Sequence, residues 1–384
     1  MPPLSACPFE PSHALRGLAL TGRYRNYTNA DTWYPSWASD GHLYSPWTDG
    51  YLLGSEERRP FDDRHPGVAC NSVDWLGRQA ATAQAKSVGV DPLALEIINL
   101  APSVPGDPAP YEGRYPCGSL LIDGLWYYGT YCLRRFSGDE CGGVGWLDLG
   151  PFVGFRRSHD FGASWVDTRH TPARPLFGEN PDAAPVRIGA PHFVDFGQNM
   201  RHSPDGKAYL VAHGSARRAA CNNWIQGDHV YLLRVTPTPD AMDDPRAYEF
   251  FAGHDAAGRP QWTHVLAEMQ PLLAWDDHLG CVTVTFDAPL GKYLLCVTRG
   301  WRRGHYDTLF LEADRLTGPW RLFCHWQDFG PEAYFVNVPS KFIDPGGRTL
   351  WLCYSANHSD KNHDGDPPGS HYALSLHEAE LLQA

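Results

Sequence analysis

Large apolar and polar residues alternate over short stretches of the chain, and turn residues separate these stretches. In residues 31–49, DTWYPSWASDGHLYSPWTD, two aromatic-rich runs flank a turn at Ser39, Asp40 and Gly41. An Asp-Gly dipeptide between two alternating runs is a strong signal for a β-hairpin. The stretch therefore predicts two antiparallel strands that begin at Asp31 and end at Asp49.

The same pattern of strand, turn and strand recurs four more times along the chain. The further pairs are 115–133, 189–215, 275–300 and 331–357. A third, more variable strand is predicted in 150–165, 229–237, 307–323 and 371–381. Pairs that start about 55 to 90 residues apart are typical of four-stranded propeller blades with long loops.

The repeat predicts an all-β fold, a five-bladed β-propeller with four-stranded antiparallel blades that forms a single domain over residues 1–384. The blades open near residues 31, 115, 190, 275 and 331, and residues 16–25 supply the last strand of the fifth blade. A blade shared by the two chain ends removes exposed strand edges. Few helices are expected, because the nearest helical pattern, 81–100, is interrupted by Gly89 and Pro92.

Composition agrees with a turn-rich β protein and excludes some partners. The chain has 38 Gly, 33 Pro and 13% aromatic residues, and its formal net charge is −12. Nucleic acid is not an expected partner, because its phosphates need a basic surface. A membrane is not expected either, because no apolar run approaches the roughly 20 residues that span a bilayer.

The ten cysteines stand singly, without the spacing of a zinc site. Buried free thiols are expected, which fits a reducing compartment. The N-terminal residues lack a secretory signal, so the sequence as it stands predicts a cytoplasmic protein, or a secreted or periplasmic one if it is a mature form. No nucleotide or redox motif is present, so no cofactor is expected, and a structural calcium ion stays open.

Two short motifs resemble known segments of carbohydrate-active propellers. Residues 158–165, SHDFGASW, resemble the Asp-box, SxDxGxxW, in which the Asp caps turn amides and the Trp packs beneath them. Residues 316–320, LTGPW, resemble a segment common in five-bladed propeller glycosidases of the arabinanase and β-xylosidase type. Together with the five strand pairs, they indicate a resemblance to these glycoside hydrolases.

This resemblance implies roles for several acidic residues. Asp31 matches the general base at the start of the first inner strand, and Glu332 takes a place similar to the general acid that opens a late blade. Asp277 and Asp195 match the third carboxylate, which orients the acid. His278 competes for the acid role, because some of these enzymes use a histidine there.

Inner strands of a propeller run parallel around the axis, so residues at their starts converge on one funnel. Two carboxylates about 6.5–9.5 Å apart would support inverting hydrolysis of a glycosidic bond. Aromatic rings at the same end would stack on sugar faces. The predicted substrate-binding residues are Trp33, Tyr34, Asp49, His192, Asp195, Trp275, Arg299, Tyr334 and Asn337.

The first hypothesis is therefore a glycoside hydrolase that cleaves an oligo- or polysaccharide by carboxylate acid/base catalysis. A second is a polysaccharide lyase, which removes a proton from a uronic acid with His or Tyr while Arg stabilises the carboxylate. The residues for that chemistry are His192, His278, Tyr34, Arg201 and Arg299. A third is a carbohydrate-binding propeller without catalysis.

Overall fold

In the computed structural model, residues 7–51, 69–70, 81–100, 104–105, 114–134, 148–178, 187–216, 221–302, 304–359 and 365–384 are described. Short antiparallel sheets follow one another along the chain and form a five-bladed β-propeller. This confirms the fold class predicted from the repeat.

Strand β1 (Leu15–Asn26) precedes the first blade. Blade I contains β2 (Asn29–Asp31), β3 (Ser36–Trp37), β4 (Leu43–Tyr51), β5 (Ala69–Cys70), β6 (Ala81–Val88), β7 (Glu96–Asn99) and β8 (Val104–Pro105). Blade II contains β9 (Tyr115–Ile122), β10 (Leu125–Arg134) and β11 (Asp148–Ser158).

Blade III contains β12 (Arg187–Ile188), β13 (His192–Phe193), β14 (Ala208–Ser215), β15 (His229–Val235), β16 (Glu249–His254), β17 (Pro260–Thr263) and β18 (Leu273–Ala274). Blade IV contains β19 (Val282–Asp287), β20 (Lys292–Arg302), β21 (His305–Ala313) and β22 (Arg321–Trp326). Blade V contains β23 (Tyr334–Asn337), β24 (Thr349–Ser355) and β25 (Ser375–Gln383), and β1 joins it as the outer strand.

Helices are few in the described residues, as expected. One α-helix, α1 (Pro239–Met242), and four 3₁₀ turns, Gln198–Met200, Pro245–Ala247, Leu266–Glu268 and Ser340–Phe342, are present. No helix in this part of the chain is long and apolar enough to cross a membrane.

The two ends of the chain close the ring in blade V. Strand β1 pairs antiparallel with β25, with Leu18 opposite Leu381. Leu15 and Leu18 are buried against Leu350 and Ala379 in the core of this blade. Terminal-strand closure is therefore confirmed. The prediction of four strands in every blade needs correction, because the described part of blade II has three.

Contacts between neighbouring inner strands run around the whole ring. Each joins a backbone or side-chain donor of one blade to an acceptor of the next: Leu121 N to Ser36 Oγ, Gly118 N to the Pro191 carbonyl, Asp195 N to the Val284 carbonyl, Thr283 Oγ1 to the Val336 carbonyl, and Asn337 Nδ2 to the Trp33 carbonyl. The inner strands run in one direction, as the parallel bridge between Asp195 and Thr285 illustrates. We call the end at which they begin, marked by Asp31, Tyr115 and Tyr334, the upper face.

Hairpin turns that follow the inner strands lie at the opposite, lower face. The turn after β9 contains Asp123 and Gly124, with φ values of 50° and 82°. Two consecutive left-handed residues are the geometry of a type I′ turn, which Asp-Gly favours. This is why the dipeptide identified the hairpin in the sequence.

The stretch Ser158–Trp165 forms a hydrogen-bonded turn after β11. The Asp160 carboxylate accepts hydrogen bonds from Ser164 N and Ser164 Oγ, at 2.8 Å and 2.6 Å. These bonds lower the pKa of Asp160 to about 2. The Trp165 ring packs against Trp126, with 5.1 Å between the ring centroids. The similarity of this turn to an Asp-box stays a prediction.

The cysteines follow the sequence prediction only in part. In the described residues, the free thiols are those of Cys7, Cys117, Cys132, Cys281, Cys296, Cys324 and Cys353. Cys221 is disulfide-bonded, so the expectation of a free thiol is wrong at this position. Single spacing in the sequence cannot exclude a disulfide, because the fold can bring distant cysteines together.

Asp287, at the end of β19, provides a test of the packing at the lower face. Its side chain is buried, and Oδ1 accepts a hydrogen bond from Leu290 N at 3.1 Å. Burial raises the pKa of Asp287 from 3.8 to about 6, and the nearby Asp344 adds to the rise. The folded state therefore favours the protonated carboxyl. That stabilising contribution is fully present below pH 3.8 and is lost as the pH rises through about 6.

We expect the Asp287→Asn variant to be more stable than the wild type at pH 8, by about 1–3 kcal/mol, because the neutral amide keeps the acceptor for Leu290. The advantage should disappear near pH 4, where the wild-type carboxyl is protonated. Urea unfolding of both proteins at the two pH values measures this difference. A variant that is less stable by the same amount at both values would contradict it.

Candidate active site

Asp31 lies at the upper face, where the inner strand of blade I begins. Its side chain is buried, and its carboxylate accepts hydrogen bonds from the hydroxyls of Tyr334 and Tyr372. Tyr334 begins the inner strand of blade V, and Tyr372 precedes β25 of the same blade. The carboxylate therefore lies across the boundary between blades V and I.

The two tyrosines remain hydrogen-bond donors at any ordinary pH. Burial raises the pKa of Tyr334 and of Tyr372 well above the usual value, and the negative charge of Asp31 raises both further. Two protonated donors stabilise the ionised form of a carboxylate. The arrangement suits Asp31 to act as a base.

Asp49 is the second carboxylate of this cluster. It follows Thr48, which pairs with Asp31 across β2 and β4. Its charge contributes to the raised pKa of both Tyr334 and Tyr372. Asp49 is half-buried, so it is closer to solvent than Asp31. Asp31 and Asp49 therefore act on the same two tyrosines.

Glu332 is held as a hydrogen-bond acceptor between two loops of the upper face. It is 2% exposed. Its carboxylate accepts from Gly304 N at 2.7 Å, from Ser359 N at 2.8 Å and from Ser359 Oγ at 2.6 Å. Glu332 therefore ties the turn before β21 to the segment after β24.

His358 connects Glu332 to the tyrosines. Its Nδ1 lies 3.3 Å from Glu332 Oε2, and its Nε2 lies 3.2 Å from the hydroxyl of Tyr306. The imidazole also packs edge-on against Tyr334, with 5.6 Å between the ring centroids. Glu332, His358, Tyr334 and Asp31 thus form one continuous series of contacts. We call these four residues with Asp49 and Tyr372 the seam cluster.

Several residues of the upper face have strained backbone conformations. Positive φ values occur at Thr32 (62°), Asp49 (51°), Glu332 (58°), Phe335 (52°) and Asn357 (56°). A side chain with a Cβ adopts this region rarely, and such strain often accompanies functional sites. These five residues neighbour or belong to the seam cluster, which supports it as the candidate active site.

His192 and Tyr34 meet on the propeller axis, with 4.2 Å between their ring centroids. Burial lowers the pKa of His192 to about 3, with a smaller effect from His213. Burial also lowers the pKa of His213 to about 4. Both imidazoles are therefore neutral at ordinary pH. The ring nitrogens of His192 and the hydroxyl of Tyr34 make no hydrogen bond to any residue that the structure describes.

A small axial pocket of about 40 Å³ lies beside His192, and all five blades line it. Asp195 and Asn337 both line this pocket, but their side chains form hydrogen bonds with other residues of the protein. The Asp195 carboxylate accepts hydrogen bonds from Ser340 and from Gly197 N. Burial raises the pKa of Asp195, and the hydrogen bonds oppose this effect. Asn337 Nδ2 donates to the Trp33 carbonyl at 3.0 Å.

The structure separates the remaining predicted residues from the seam cluster. Trp275 packs against the core between blades III and IV. His278 stacks on its ring at a centroid distance of 4.3 Å, and the Arg299 guanidinium lies 4.8 Å from the ring centroid. Asp277 N donates to Asp228 at 3.0 Å at the same boundary. These groups lie between blades III and IV, whereas Asp31 lies between blades V and I.

Neither Trp33 nor Arg201 lies on the exposed surface of the upper face. Trp33 is 2% exposed and stacks on Trp47 inside the core. Arg201 lies over Trp37, beside the hairpin turn at the lower face.

Sequence reasoning did not identify Tyr372, His358 or Tyr306. Their only signal was a position close to the upper end of a strand.

No group of three or more His, Cys, Asp or Glu residues suited to a metal ion occurs among the described residues.

No protein-family profile matches the chain, and no curated protein is significantly similar to it in sequence. Solved structures are similar in fold. A putative hydrolase from Bacteroides ovatus superimposes with a TM-score of 0.51 at 12% identity, covering 93% of this chain and 87% of that chain. The chain shares its fold with this hydrolase.

Two other solved structures are less similar, and no argument rests on them. A β-xylosidase/α-arabinofuranosidase from a compost microbial metagenome, solved with xylotriose, has a TM-score of 0.44 at 12% identity and covers 97% of this chain and 94% of that chain. An α-L-arabinofuranosidase from Podospora anserina, solved with cellotriose, has a TM-score of 0.42 at 11% identity and covers 97% and 98% of the two chains.

The hydrogen bonds of Glu332 predict a structural effect of its substitution. In the Glu332→Gln variant, an amide NH₂ replaces one acceptor oxygen and faces N–H or O–H donors. We expect a loss of about 1–3 kcal/mol in the free energy of unfolding, because buried donors lose their acceptor. Urea unfolding followed by circular dichroism measures the loss, and Glu96→Gln, at an exposed position, is the control. Equal stability of the two variants would contradict the role of Glu332 as an anchor.

Proposed function

We propose that the protein is a glycoside hydrolase and that the seam cluster is its reaction centre. The observation that carries this proposal is the buried carboxylate of Asp31, which two protonated tyrosines hold beside a second carboxylate, Asp49. Paired carboxylates in different environments are the groups that glycoside hydrolysis requires. The chain shares its fold with a putative hydrolase, which is compatible with a hydrolytic reaction.

In this proposal Asp31 is the general base. Its tyrosine donors favour the ionised carboxylate, which is the form that accepts a proton from water. Asp49 is the general acid, because its half-buried position gives it access to a leaving oxygen and the charge of Asp31 favours its protonated form.

Glu332, the acid expected from the resemblance, takes a different part in the proposal. Three donors from two loops point at its two oxygens, so its carboxylate is held in place by those loops. We assign to Glu332 the positioning of His358, which in turn contacts Tyr334. Glu332 thereby supports the tyrosine that binds Asp31.

The position of Arg201 favours a hydrolase over a lyase. A lyase needs an arginine beside its catalytic His and Tyr to stabilise the uronate carboxylate. His192 and Tyr34 meet on the axis, but Arg201 lies over Trp37 at the lower face and Arg299 lies over Trp275. The histidine and tyrosine of the lyase hypothesis therefore lie on the axis, apart from both of its arginines.

The roles of the two aspartates predict different dependence on the leaving group. We expect Asp31→Asn to lower kcat by about 10²–10⁴-fold on all substrates. Asp49→Asn should lower kcat strongly on natural linkages but little on dinitrophenyl glycosides, whose leaving group needs no protonation. Sugar release from arabinosyl, xylosyl and uronosyl substrates measures both effects.

The control is Asp40→Asn, since Asp40 lies in the hairpin turn at the lower face, and it should retain full activity. Full activity of Asp31→Asn would contradict the proposed reaction centre. A wild-type protein that binds oligosaccharides and hydrolyses none of them would instead favour a binding propeller.

The tyrosines predict a shift in the pH dependence of the reaction. Tyr334→Phe and Tyr372→Phe each remove one donor from the carboxylate of Asp31, which is then easier to protonate. We expect the acidic limb of the kcat/KM profile to move to higher pH in each variant. Tyr127→Phe is the control, because this hydroxyl donates to the Pro237 carbonyl outside the seam cluster. Unchanged acidic limbs in both variants would exclude Asp31 as the titrating base.

A further inference from the structure

Arg299 has a buried guanidinium that makes no hydrogen bond to any residue in the described ranges. It lies near the upper end of β20, and its side chain is 4% exposed. Its Nε lies 3.7 Å from Asp307 Oδ2, which is too long for a hydrogen bond. The guanidinium has five N–H donors, and the structure gives it no hydrogen bond to any described residue.

Asp307 does not accept a hydrogen bond from Arg299, because its carboxylate oxygens have other partners. His325 Nε2 lies 3.0 Å from Asp307 Oδ2, and Asp328 N donates to Oδ1 at 3.1 Å. Asp307 therefore balances part of the charge of Arg299 at a distance. Burial lowers the pKa of Arg299, and Asp307 opposes this effect. A buried cation without hydrogen bonds is costly unless something else accepts them.

The surroundings of Arg299 hold the guanidinium in place without using its donors. Trp275 supports it at 4.8 Å from the ring centroid. A guanidinium on an aromatic face keeps its N–H groups available for a planar acceptor. Carboxylates and phosphates both fit that fork. Asp276 and Asp277 follow Trp275 directly, and their charges would oppose a phosphate dianion more than a carboxylate.

We propose that Arg299 binds the carboxylate of an acidic sugar and that the substrate class of the hydrolase is therefore a uronic-acid-containing oligo- or polysaccharide. The choice of a sugar rests on the proposed function. Arg299 and the seam cluster both lie at the upper face. Arg299 lies between blades III and IV, and the seam cluster lies between blades V and I. A saccharide of several units along this face would place a uronate at Arg299 and a scissile bond at Asp31.

Binding measurements test the carboxylate preference without requiring catalysis. Titration calorimetry compares oligogalacturonate with its methyl ester, which has the same shape but no charge, and with inorganic phosphate. We expect the wild type to bind the acid at least about tenfold more tightly than the ester, and phosphate to compete weakly. Equal affinity for acid and ester, no binding of the acid, or equally strong competition by phosphate would overturn the proposal.

Variants assign the preference to Arg299. Arg299→Gln should abolish the preference for the acid, and Arg299→Lys should retain part of it, because it keeps the charge without the fork. Arg302→Gln is the matched control, since Arg302 is exposed on the same strand, and it should retain the whole preference. A preference that survives in Arg299→Gln, or that is lost equally in the control, would contradict the assignment.

Thermal unfolding separates a binding role from a structural one. Arg299→Gln should change Tm by no more than about 2–4 °C, the shift expected for roughly 1 kcal/mol in a large domain. Collapse of the fold in both Arg299 variants would indicate a structural ion pair with Asp307 and overturn the proposal. Asp31→Asn should lose hydrolysis and still bind the acid, so that failure of the reaction centre is distinguishable from failure of the Arg299 site.

Discussion

Closure of the ring by β1 is the constraint on which the candidate active site depends. Pairing of β1 with β25 completes blade V, and blade V then meets blade I through Asn337 and the Trp33 carbonyl. The hydrogen bond from Tyr334 to Asp31 crosses the same boundary and joins residues 303 positions apart. The seam cluster therefore forms only when the two ends of the chain are brought together.

The buried polar groups at the upper face fall into two kinds with different energetic consequences. Asp31 and Glu332 accept several hydrogen bonds, so their charges are compensated and their geometry is fixed. Arg299 is buried with a charge partner but no hydrogen bond. Folding alone does not favour the second kind, because no hydrogen bond to a described residue offsets the burial of the cation. An external acceptor is the simplest compensation.

The sequence predicted those features that local chemistry determines. Asp-Gly and Pro-Gly turns specify their hairpins, so the five strand pairs and the position of Asp31 at the start of a blade could be inferred. The third and fourth strands of blade I were missed, because ATAQAKSV in β6 has small and polar residues without a clear alternation of large side chains. Tyr372 and His358 reach the site because of the way the strands of blade V pack against blade I. The spacing of residues in the sequence does not predict this packing. Asp277 shared the strand-start pattern of Asp31, but the pattern cannot tell which boundary between blades a residue will face.

The hydrogen bonds of Glu332 bear on the general-acid role that the sequence resemblance implied for it. Glu332 resembles a general acid by its place before a late inner strand, yet its two oxygens accept from Gly304 and Ser359. A proton donor must keep an O–H directed at the leaving oxygen, whereas the Glu332 carboxylate is held by donors from two loops. Asp49 lies closer to solvent than Glu332. We propose Asp31 as the base because Tyr334 and Tyr372 both donate to its carboxylate. The division of labour between base and acid then follows from which carboxylate the tyrosines contact.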